Sequence, residues 1–300
     1  MELPLVVGVD GSGPSLAAVD WAVDEAARHG LPLRLVHASL WERYEGAVPS
    51  GSTERPSEQV LAEYVVGSAA ERARLRGPEV KVSGDILPED AATALLEAGD
   101  DAAAVVIGSR GRGELKGLLL GSVGLAVAGR ARCPVIVVRG DTAGLSGAHG
   151  RILLGAGGPG TGGEAARFAV REARVRGCVL DVVRAWRSPA RGPAEVRDGA
   201  GGEEERAAAV LEAALAAGEP ETSPELLVRR ATAEGPAHRV LVDRSAAADL
   251  VVVGARRRSG CFGLQLGRTA HALLHHAQCP VAVVPERVAA PESAEEYAEE

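Results

Sequence analysis

The sequence consists of two copies of one domain, and this duplication limits the fold more than any single motif does. The copies align when the chain is shifted by 147 residues early in the repeat and by 146 residues later in it. The residues that coincide are Gly8 with Gly155, Trp21 with Phe168, Glu25 with Glu172, Gly108 with Gly254, Gly121 with Gly267 and Cys133 with Cys279. Similarity that persists over a whole repeat indicates a tandem duplication, so both halves should share one fold.

The duplication also defines the predicted domains. Residues 1–140 form the first domain and residues 150–285 the second, and the Gly- and Ser-rich stretch 140–150 is interpreted as a linker. Residues 286–300 are acidic and are predicted to be a disordered tail. Hydrophobic residues make up 46% of the chain and charged residues 25%, as is typical of globular proteins, so each half can bury its own core.

Short β-branched segments alternate with longer Ala-rich segments. In the first copy the hydrophobic pattern predicts strands at residues 5–9, 33–36, 80–82, 103–107 and 135–138, and helices at 15–29, 58–76, 89–98 and 122–131. Strands separated by helices pair in parallel through right-handed crossovers. The predicted class is therefore α/β, with two tandem open doubly wound, Rossmann-like domains, each a mainly parallel five-stranded sheet with helices on both faces. Ligands of such folds bind beyond the carboxyl ends of the strands where the strand order reverses, so the loops after Val9 and Ile107 are the expected site.

Composition restricts the partners and the compartment. Aromatic residues are only 3% of the chain and the net charge is −8, which argues against a nucleic-acid partner because stacking platforms and a basic surface are both lacking. No apolar run approaches the length of a membrane span, and polar residues interrupt the N-terminal segment too early for a signal peptide. We therefore expect a cytoplasmic protein with no membrane partner, whose 4 cysteines are reduced thiols.

A glycine-rich stretch follows the fourth predicted strand. Gly108-Ser109-Arg110-Gly111 is followed by nine residues and then by Gly121-Ser122 at the start of a predicted helix. Glycine lets the backbone approach an anion, and the N–H groups of Gly121 and Ser122 would lie at the positive end of the helix dipole. The Ser122 hydroxyl would either cap the helix or donate to a phosphate oxygen, and Arg110, Arg112 and Lys116 could balance the phosphate charge. The alternative is a tight turn with a helix cap that binds nothing.

A carboxylate follows the first predicted strand, at the same edge of the sheet. Asp10 is followed by Gly11 and Ser12. It could accept hydrogen bonds from ribose hydroxyls or bridge to a phosphate-bound metal ion, or it could simply form an Asx turn or helix cap ahead of Pro14. Because two such loops converge at one switch point, a nucleotide site is favoured over two unrelated turns.

Taken together, these motifs resemble the ATP-binding form of the universal stress protein family. The pattern is Gly-x-x-Gly, nine residues and Gly-Ser, preceded by a strand ending in Val-Asp-Gly-Ser and followed by Cys-Pro-Val-Ile-Val-Val, and the resemblance covers residues 4–285. It implies that Asp10 contacts ribose or phosphate and that the backbone near Ala38 and Ile107 frames adenine. The implied site for ATP, with Mg²⁺ as an optional companion, consists of Val9, Asp10, Gly11, Ala38, Ile107, Gly108, Arg110, Gly111, Gly121, Ser122 and Val123.

The resemblance also implies how the two halves are arranged. The last strand of this family commonly makes a dimer contact, so residues 135–138 and 281–284 would pair within the chain, which makes the tandem a covalent pseudo-dimer. Whether a second copy also binds to form a homodimer stays open.

The second copy departs from the nucleotide pattern. It has Gly157-Gly158-Pro159 in place of the carboxylate loop, Arg257 at the Gly111 position and Arg268 at the Ser122 position. We expect this half to be a structural partner domain, with anion binding by its Arg-rich loop as the alternative.

Three functions are compatible with the pattern. The first is a nucleotide-dependent binding module of the stress response that has no catalytic residue. The second is a slow, metal-assisted ATPase that uses Asp10, and the third is an interaction scaffold without nucleotide. A metal site at His271, His275, His276 and Cys279 is not favoured, because Cys133 is equivalent to Cys279 without histidines and imidazoles suit a helix C-terminus.

Overall fold

The computed structural model describes residues 2–40, 57–111, 120–157, 162–187, 226–255 and 266–286, together with parts of 205–216. The first half consists of β1 (Leu5–Gly8), α1 (Gly13–His29), β2 (Leu33–Ala38), α2 (Ser57–Arg76), β3 (Val82–Leu87), α3 (Ala91–Asp100), β4 (Ala104–Gly108), α4 (Ser122–Arg130) and β5 (Val135–Val138). A short helix, α5 (Thr142–Ser146), follows. The second half consists of β6 (Arg151–Gly155), α6 (Gly163–Arg176), β7 (Val179–Trp186), β8 (Val228–Glu234), α7 (Ala237–Ser245), β9 (Leu250–Ala255), α8 (Arg268–His276) and β10 (Val281–Pro285).

All ten of these strands belong to one sheet, in the order β3-β2-β1-β4-β5-β10-β9-β6-β7-β8. Each half contributes five parallel strands in the same relative order, and the order reverses at β1 and again at β6. This confirms the predicted α/β class with two doubly wound halves. The predicted pairing of the last strands is also confirmed, since β5 and β10 are antiparallel with Val137 opposite Val281 and Val135 opposite Val283.

Helices cover both faces of the sheet, and each face has its own hydrophobic layer. One layer contains side chains of α1, α2 and α6, and the other contains side chains of α3, α4, α7 and α8. Both layers run through both halves, which explains why the central strands are almost continuously apolar. Trp21 and Phe168 are buried at equivalent places in the first layer, as their alignment predicted. Among the described helices, none is long and apolar enough to cross a membrane.

The third strand differs most from its predicted position. The expected bounds of 80–82 are wrong, because the strand occupies Val82–Leu87 at the edge of the sheet. Its centre contains Gly84 and Asp85, both exposed or half-buried, so it lacks the apolar run that marked the other strands. Pairing with β2 holds it in place, and the ion pair from Arg34 Nε to Asp85 Oδ2, at 2.6 Å, adds a cross-strand contact.

Two helices also differ from expectation. Helix α3 begins at Ala91 rather than Glu89, because Asp90 is its N-cap and accepts hydrogen bonds from the N–H groups of Ala92 and Thr93 at 3.1 and 3.2 Å. The stretch 140–150 was interpreted as a linker, but it contains α5, whose N-cap Asp141 accepts from the Gly144 N–H at 2.9 Å. The predicted acidic tail lies outside the described residues except for Glu286.

The segment that follows β5 is held against the second half by hydrogen bonds and close packing. Arg139 donates from Nε to the carbonyl of Ala277 at 2.8 Å and from Nη1 to the carbonyl of Leu274, so it satisfies carbonyls at the end of α8. Gly140 has a φ of +106° and lies so close to Gln278 that an added Cβ would be 2.1 Å from its carbonyl oxygen. This segment therefore packs backbone against backbone.

We predict that Gly140→Ala lowers the free energy of unfolding by at least about 3 kcal/mol, because it adds a clash to the strain of a positive φ. The matched control is Gly147→Ala, since Gly147 also has a positive φ of +75° but nothing lies within 4 Å of its added Cβ. That control should lose only about 1 kcal/mol. Urea unfolding of both variants measures the difference, and equal losses would contradict the close packing of Gly140.

Candidate functional site

A cavity of about 490 Å³ lies in the first half, beyond the carboxyl ends of β1 and β4. This is a point where the strand order reverses, as expected for a doubly wound sheet. Ten of the eleven predicted residues line it, namely Val9, Asp10, Ala38, Ile107, Gly108, Arg110, Gly111, Gly121, Ser122 and Val123. Gly11 does not line the cavity but forms the turn beside it, with a φ of +78° that suits glycine.

The loop after β1 forms an Asx turn, which is the alternative that the sequence left open for Asp10. Asp10 accepts a hydrogen bond at Oδ1 from the Ser12 N–H at 2.9 Å, which is an Asx turn. Ser12 is the N-cap of α1, and its hydroxyl accepts from the Ser15 N–H at 3.3 Å. Because Oδ1 makes the turn, Oδ2 is the oxygen that faces the second loop.

Two glycines allow the loops after β1 and β4 to meet. A Cβ added to Gly111 would lie 2.6 Å from Asp10 Oδ2, and one added to Gly108 would lie 2.5 Å from the carbonyl oxygen of Pro14. A larger residue at position 108 would push the end of β4 away from the backbone of α1, and one at position 111 would displace the Asp10 carboxylate. The loops that are 100 residues apart in the chain therefore converge because these two positions have no side chain.

The N-terminus of α4 forms another wall of the cavity. Gly121 is the N-cap, and its own N–H donates to the carbonyl of Ser109 at 3.3 Å, which closes the loop between them. This differs from the expectation that the Gly121 N–H is offered to an anion. Ser122 is the first helical residue, so its hydroxyl does not cap the helix, and the N–H groups of Ser122 and Val123 belong to the first turn, whose amides have no intrahelical acceptor.

The remaining walls are mostly apolar. Val36, Ala38 and Ile107 come from strands, and Ala91 and Leu95 come from α3. The sequence did not point to the two α3 residues. The position of Leu95 along the helix indicates only a core residue, and Leu95 is indeed buried.

His37 also lies in the lining of the cavity. The structure shows it half-buried, with Nδ1 2.7 Å from the carbonyl oxygen of Val9. Since a carbonyl can only accept, Nδ1 carries the proton in this contact.

The charged groups of the described lining are Asp10 and Arg110. Arg110 lies two residues after the end of β4 and lines the same cavity as the start of α4. Arg112 and Lys116, which were also predicted to balance phosphate charge, lie outside the described residues. The described wall thus combines one anionic group, one cationic group and the positive end of a helix.

The equivalent edge of the second half carries different chemistry. Arg268 begins α8 at the position of Ser122, and Gly267 is the N-cap with a φ of −59°, close to the −71° of Gly121. Gly158, Pro159 and Arg257 lie outside the described residues.

A carboxylate of the chain itself occupies the start of α6. The Gly162 N–H donates to Glu286 Oε1 at 2.5 Å, and the same oxygen would be 3.0 Å from a Cβ on Gly254. A negative side chain at this helix N-terminus takes the place that favours an anion and repels a phosphate nearby.

The histidines at the end of α8 do not form a three-ligand group within the described residues. The ring centroids of His271 and His275 are 4.5 Å apart. Burial, followed by the charges of His271, His276 and Arg139, lowers the pKa of His275.

Comparisons with known proteins agree with the fold and with the repeat. The model of the universal stress protein family matches twice, at residues 3–139 and 149–285. Universal stress protein Rv2005c of Mycobacterium tuberculosis is 34% identical over 293 residues, which cover 93% of this chain and 96% of that protein. The crystal structure of a universal stress protein from Archaeoglobus fulgidus has a TM-score of 0.66 at 16% identity, covering 94% of this chain and 98% of that one, and shows the same fold.

A shorter universal stress protein from Archaeoglobus fulgidus, solved in complex with dAMP, is 25% identical over 46% of this chain, with 98% of its own length covered and a TM-score of 0.35. Both family matches together span nearly the whole described sheet. The chain therefore belongs to the universal stress protein family, as a tandem of two such domains.

Proposed function

We propose that this chain binds one ATP in the cavity of its first half and acts as a nucleotide-dependent binding module of the stress response. The observation that carries the proposal is the contact between the two loops, in which Asp10 Oδ2 lies beside Gly111 at the mouth of a cavity closed by the start of α4. A carboxylate, a close-approach glycine and a helix N-terminus at one switch point are what a nucleotide requires.

The phosphates would bind at the start of α4. The N–H groups of Ser122 and Val123 point out of the first turn, and the helix dipole favours negative charge there. A Cβ added to Gly121 meets no atom within 4 Å, so this position borders open space that a phosphate could fill. Arg110 supplies a positive charge next to the same space.

The base would lie against the apolar wall. Val36, Ala38, Leu95 and Ile107 provide a flat, largely buried surface, which suits an adenine ring. His37 is held by its bond to the Val9 carbonyl and forms the floor between base and sugar.

Asp10 lies between these two regions and would accept hydrogen bonds from the ribose or hold Mg²⁺ at the phosphates. Its Oδ1 accepts from the Ser12 N–H, and its Oδ2 lies beside Gly111 in the cavity lining. This engagement favours a binding role over that of a general base for water.

A direct test is to denature the purified full-length chain and to identify the released small molecules by mass spectrometry. ATP at close to one equivalent per chain is the expected result. ADP in its place would favour the slow ATPase, whereas the absence of nucleotide, together with no heat of ATP binding in calorimetry, would favour the scaffold.

We predict that Gly121→Val weakens ATP binding at least 100-fold, because its side chain would fill the phosphate space. The fold should be unaffected, since the φ of −71° and ψ of 157° at Gly121 suit a β-branched residue. The matched control is Gly267→Val, at the equivalent N-cap, where an added Cβ also meets nothing within 4 Å. Calorimetry should show full affinity for the control, and an equal loss in both variants would contradict the assignment of the site to the first half.

For Asp10→Asn we expect ATP binding to weaken by about 10- to 100-fold, which corresponds to one charge-assisted hydrogen bond of about 1.5–3 kcal/mol. Thermal stability should hardly change, because an Asn side-chain oxygen can still accept from the Ser12 N–H. Asp10→Ala is the companion variant, which loses the turn bond as well. Wild-type affinity in Asp10→Asn would leave Asp10 as a turn residue only.

Titration of the full chain should saturate at one equivalent of ATP. The second half lacks the carboxylate loop, has Arg268 in place of the serine, and carries the Glu286 carboxylate beside Gly254. Losing several charged contacts would move a micromolar site beyond the millimolar range. Saturation at two equivalents would mean that the second half is a nucleotide site of another design.

A further inference from the structure

Four ionisable side chains are buried together where α1 of the first half packs on α6 of the second. Glu25 and Glu172 are each 2% exposed, and the side chains of His29 and Arg176 are 12% and 9% exposed. The repeat relates them in pairs, since Glu172 lies 147 residues after Glu25 and Arg176 lies 147 residues after His29. Burying such groups is costly unless they compensate one another, so their arrangement has a direct effect on stability.

The strongest contacts within this cluster cross between the halves. Arg176 Nη2 lies 2.6 Å from Glu25 Oε2, and His29 Nε2 lies 3.2 Å from Glu172 Oε2. Two weaker contacts stay within one helix, from His29 Nε2 to Glu25 Oε1 at 3.5 Å and from Arg176 Nη2 to Glu172 Oε2 at 3.6 Å. The four groups therefore form a closed ring that joins α1 to α6.

Two further cations border the ring from the solvent side. Arg28 Nη1 lies 3.0 Å from Glu25 Oε2, and Arg171 Nη2 lies 3.7 Å from Glu172 Oε1. Their side chains are 33% and 57% exposed, so water screens them more than it screens the ring. Arg176 also stacks over Trp21, with its guanidinium carbon 5.7 Å from the ring centroid, which holds the guanidinium in place.

The same cluster brings ligand atoms of Glu25, His29 and Glu172 within 4.8 Å of one another, close enough for one metal ion. The guanidinium of Arg176 already lies against both carboxylates, however, and supplies the positive charge that a metal would bring. A divalent ion would have to displace it or be repelled by it, so we favour a purely ionic role.

We propose that Glu25, His29, Glu172 and Arg176 form a proton-dependent latch between the two halves, which is tightest when His29 is charged and loosens when that proton is lost. With His29 charged and Glu172 ionised, two cations face two carboxylates inside the ring. When His29 is neutral, one buried carboxylate loses its cross-domain partner charge, and α1 and α6 are held less firmly.

The pKa shifts of the ring residues support a latch that weakens when His29 loses its proton. The hydrogen bond to Glu172, followed by that to Glu25, raises the pKa of His29 from 6.5 to about 9. Burial raises the pKa of Glu172 to about 7, with the charge of Glu25 adding to it. Burial also acts to raise the pKa of Glu25, but the hydrogen bond from His29 and the charge of Arg176 outweigh it and lower that pKa below its ordinary value.

The sign of the effect follows from proton linkage. A group whose pKa is raised on folding stabilises the fold below its unfolded value, and that contribution is lost as pH rises through the folded value. For His29 this window lies between 6.5 and about 9, and for Glu172 between 4.5 and about 7. Glu25 has the opposite sign, but its contribution changes only at more acidic pH. The latch therefore weakens steadily from neutral to alkaline pH.

The test is urea unfolding of the full chain at several pH values from 6 to 10. The change in the His29 pKa from 6.5 to about 9 corresponds to an unfolding equilibrium constant that rises by up to about 300-fold over this range. In His29→Gln the part of this rise between about pH 7 and 9 should be lost, whereas the smaller change below about pH 7 that Glu172 contributes should remain. His276→Gln is the control, because His276 is exposed at the end of α8, and its pH profile should match the wild type.

A second measurement follows the protonation of His29 directly and does not depend on unfolding. The ring proton of His29, followed by NMR in the wild-type chain, should titrate with a midpoint near 9 and shift to 7 or below in Glu172→Gln. A midpoint at or below 6.5, or a pH profile of His29→Gln that parallels the wild type, would overturn the latch. A zinc-dependent rise in the melting temperature at pH 8 would also overturn it, in favour of a metal site.

Discussion

The antiparallel pairing of β5 with β10 is the contact on which the rest of the molecule depends. Both strands are buried and almost entirely apolar, and in a separate five-stranded half each would be an edge with a row of unpaired N–H and C=O groups. Pairing removes both edges at once and lets the two hydrophobic layers run through the junction. It also sets α1 against α6, which is what brings Glu25 and Glu172 together. These two strands, which carry no ligand chemistry, thus determine where the buried ring lies.

Much of this fold could be predicted because its signals are local and occur twice. The strands β4 and β5 are uninterrupted runs of small and β-branched residues, and α1 ends at Gly30, which adopts the left-handed conformation that glycine favours. The prediction failed where tertiary pairing outweighs local preference. Gly84 and Asp85 disfavour a strand on their own, yet the ladder with β2 extends β3 through them. The five-residue α5 was missed for a related reason, since it is held by its cap and by packing on the second half rather than by any helical pattern.

The candidate site likewise contains residues that the sequence could identify and residues that it could not. Asp10, Gly108 and Gly111 could be identified because a carboxylate and glycines after parallel strands carry a chemical meaning that does not depend on distant contacts. Ala91 and Leu95 could not, because only the docking of α3 against β1 and β2 turns them towards the cavity. The bond from the Gly121 N–H to the Ser109 carbonyl is likewise a closure between loop ends. Sequence spacing places Gly121 and Ser122 near a phosphate. Only the structure shows that the Gly121 N–H is already bonded to Ser109, whereas the Ser122 N–H has no acceptor within its helix.

The two halves differ in the loops at the carboxyl ends of their strands, because the sheet requires the strands of the second half but not the chemistry of its loops. The second half must supply β10 to cover β5, but nothing in the packing of the described residues requires a carboxylate after β6. Its crevice can therefore change without loss of stability, and it holds Arg268 and a Glu286 carboxylate bound to the Gly162 N–H. That carboxylate caps the start of α6, which is equivalent to α1 and not to α4, where the phosphates are proposed to bind. The counterpart of the α4 N-terminus is the start of α8, where the glycine N-cap is kept and Arg268 stands in place of Ser122, so the two halves differ there in side chain rather than in N-cap geometry.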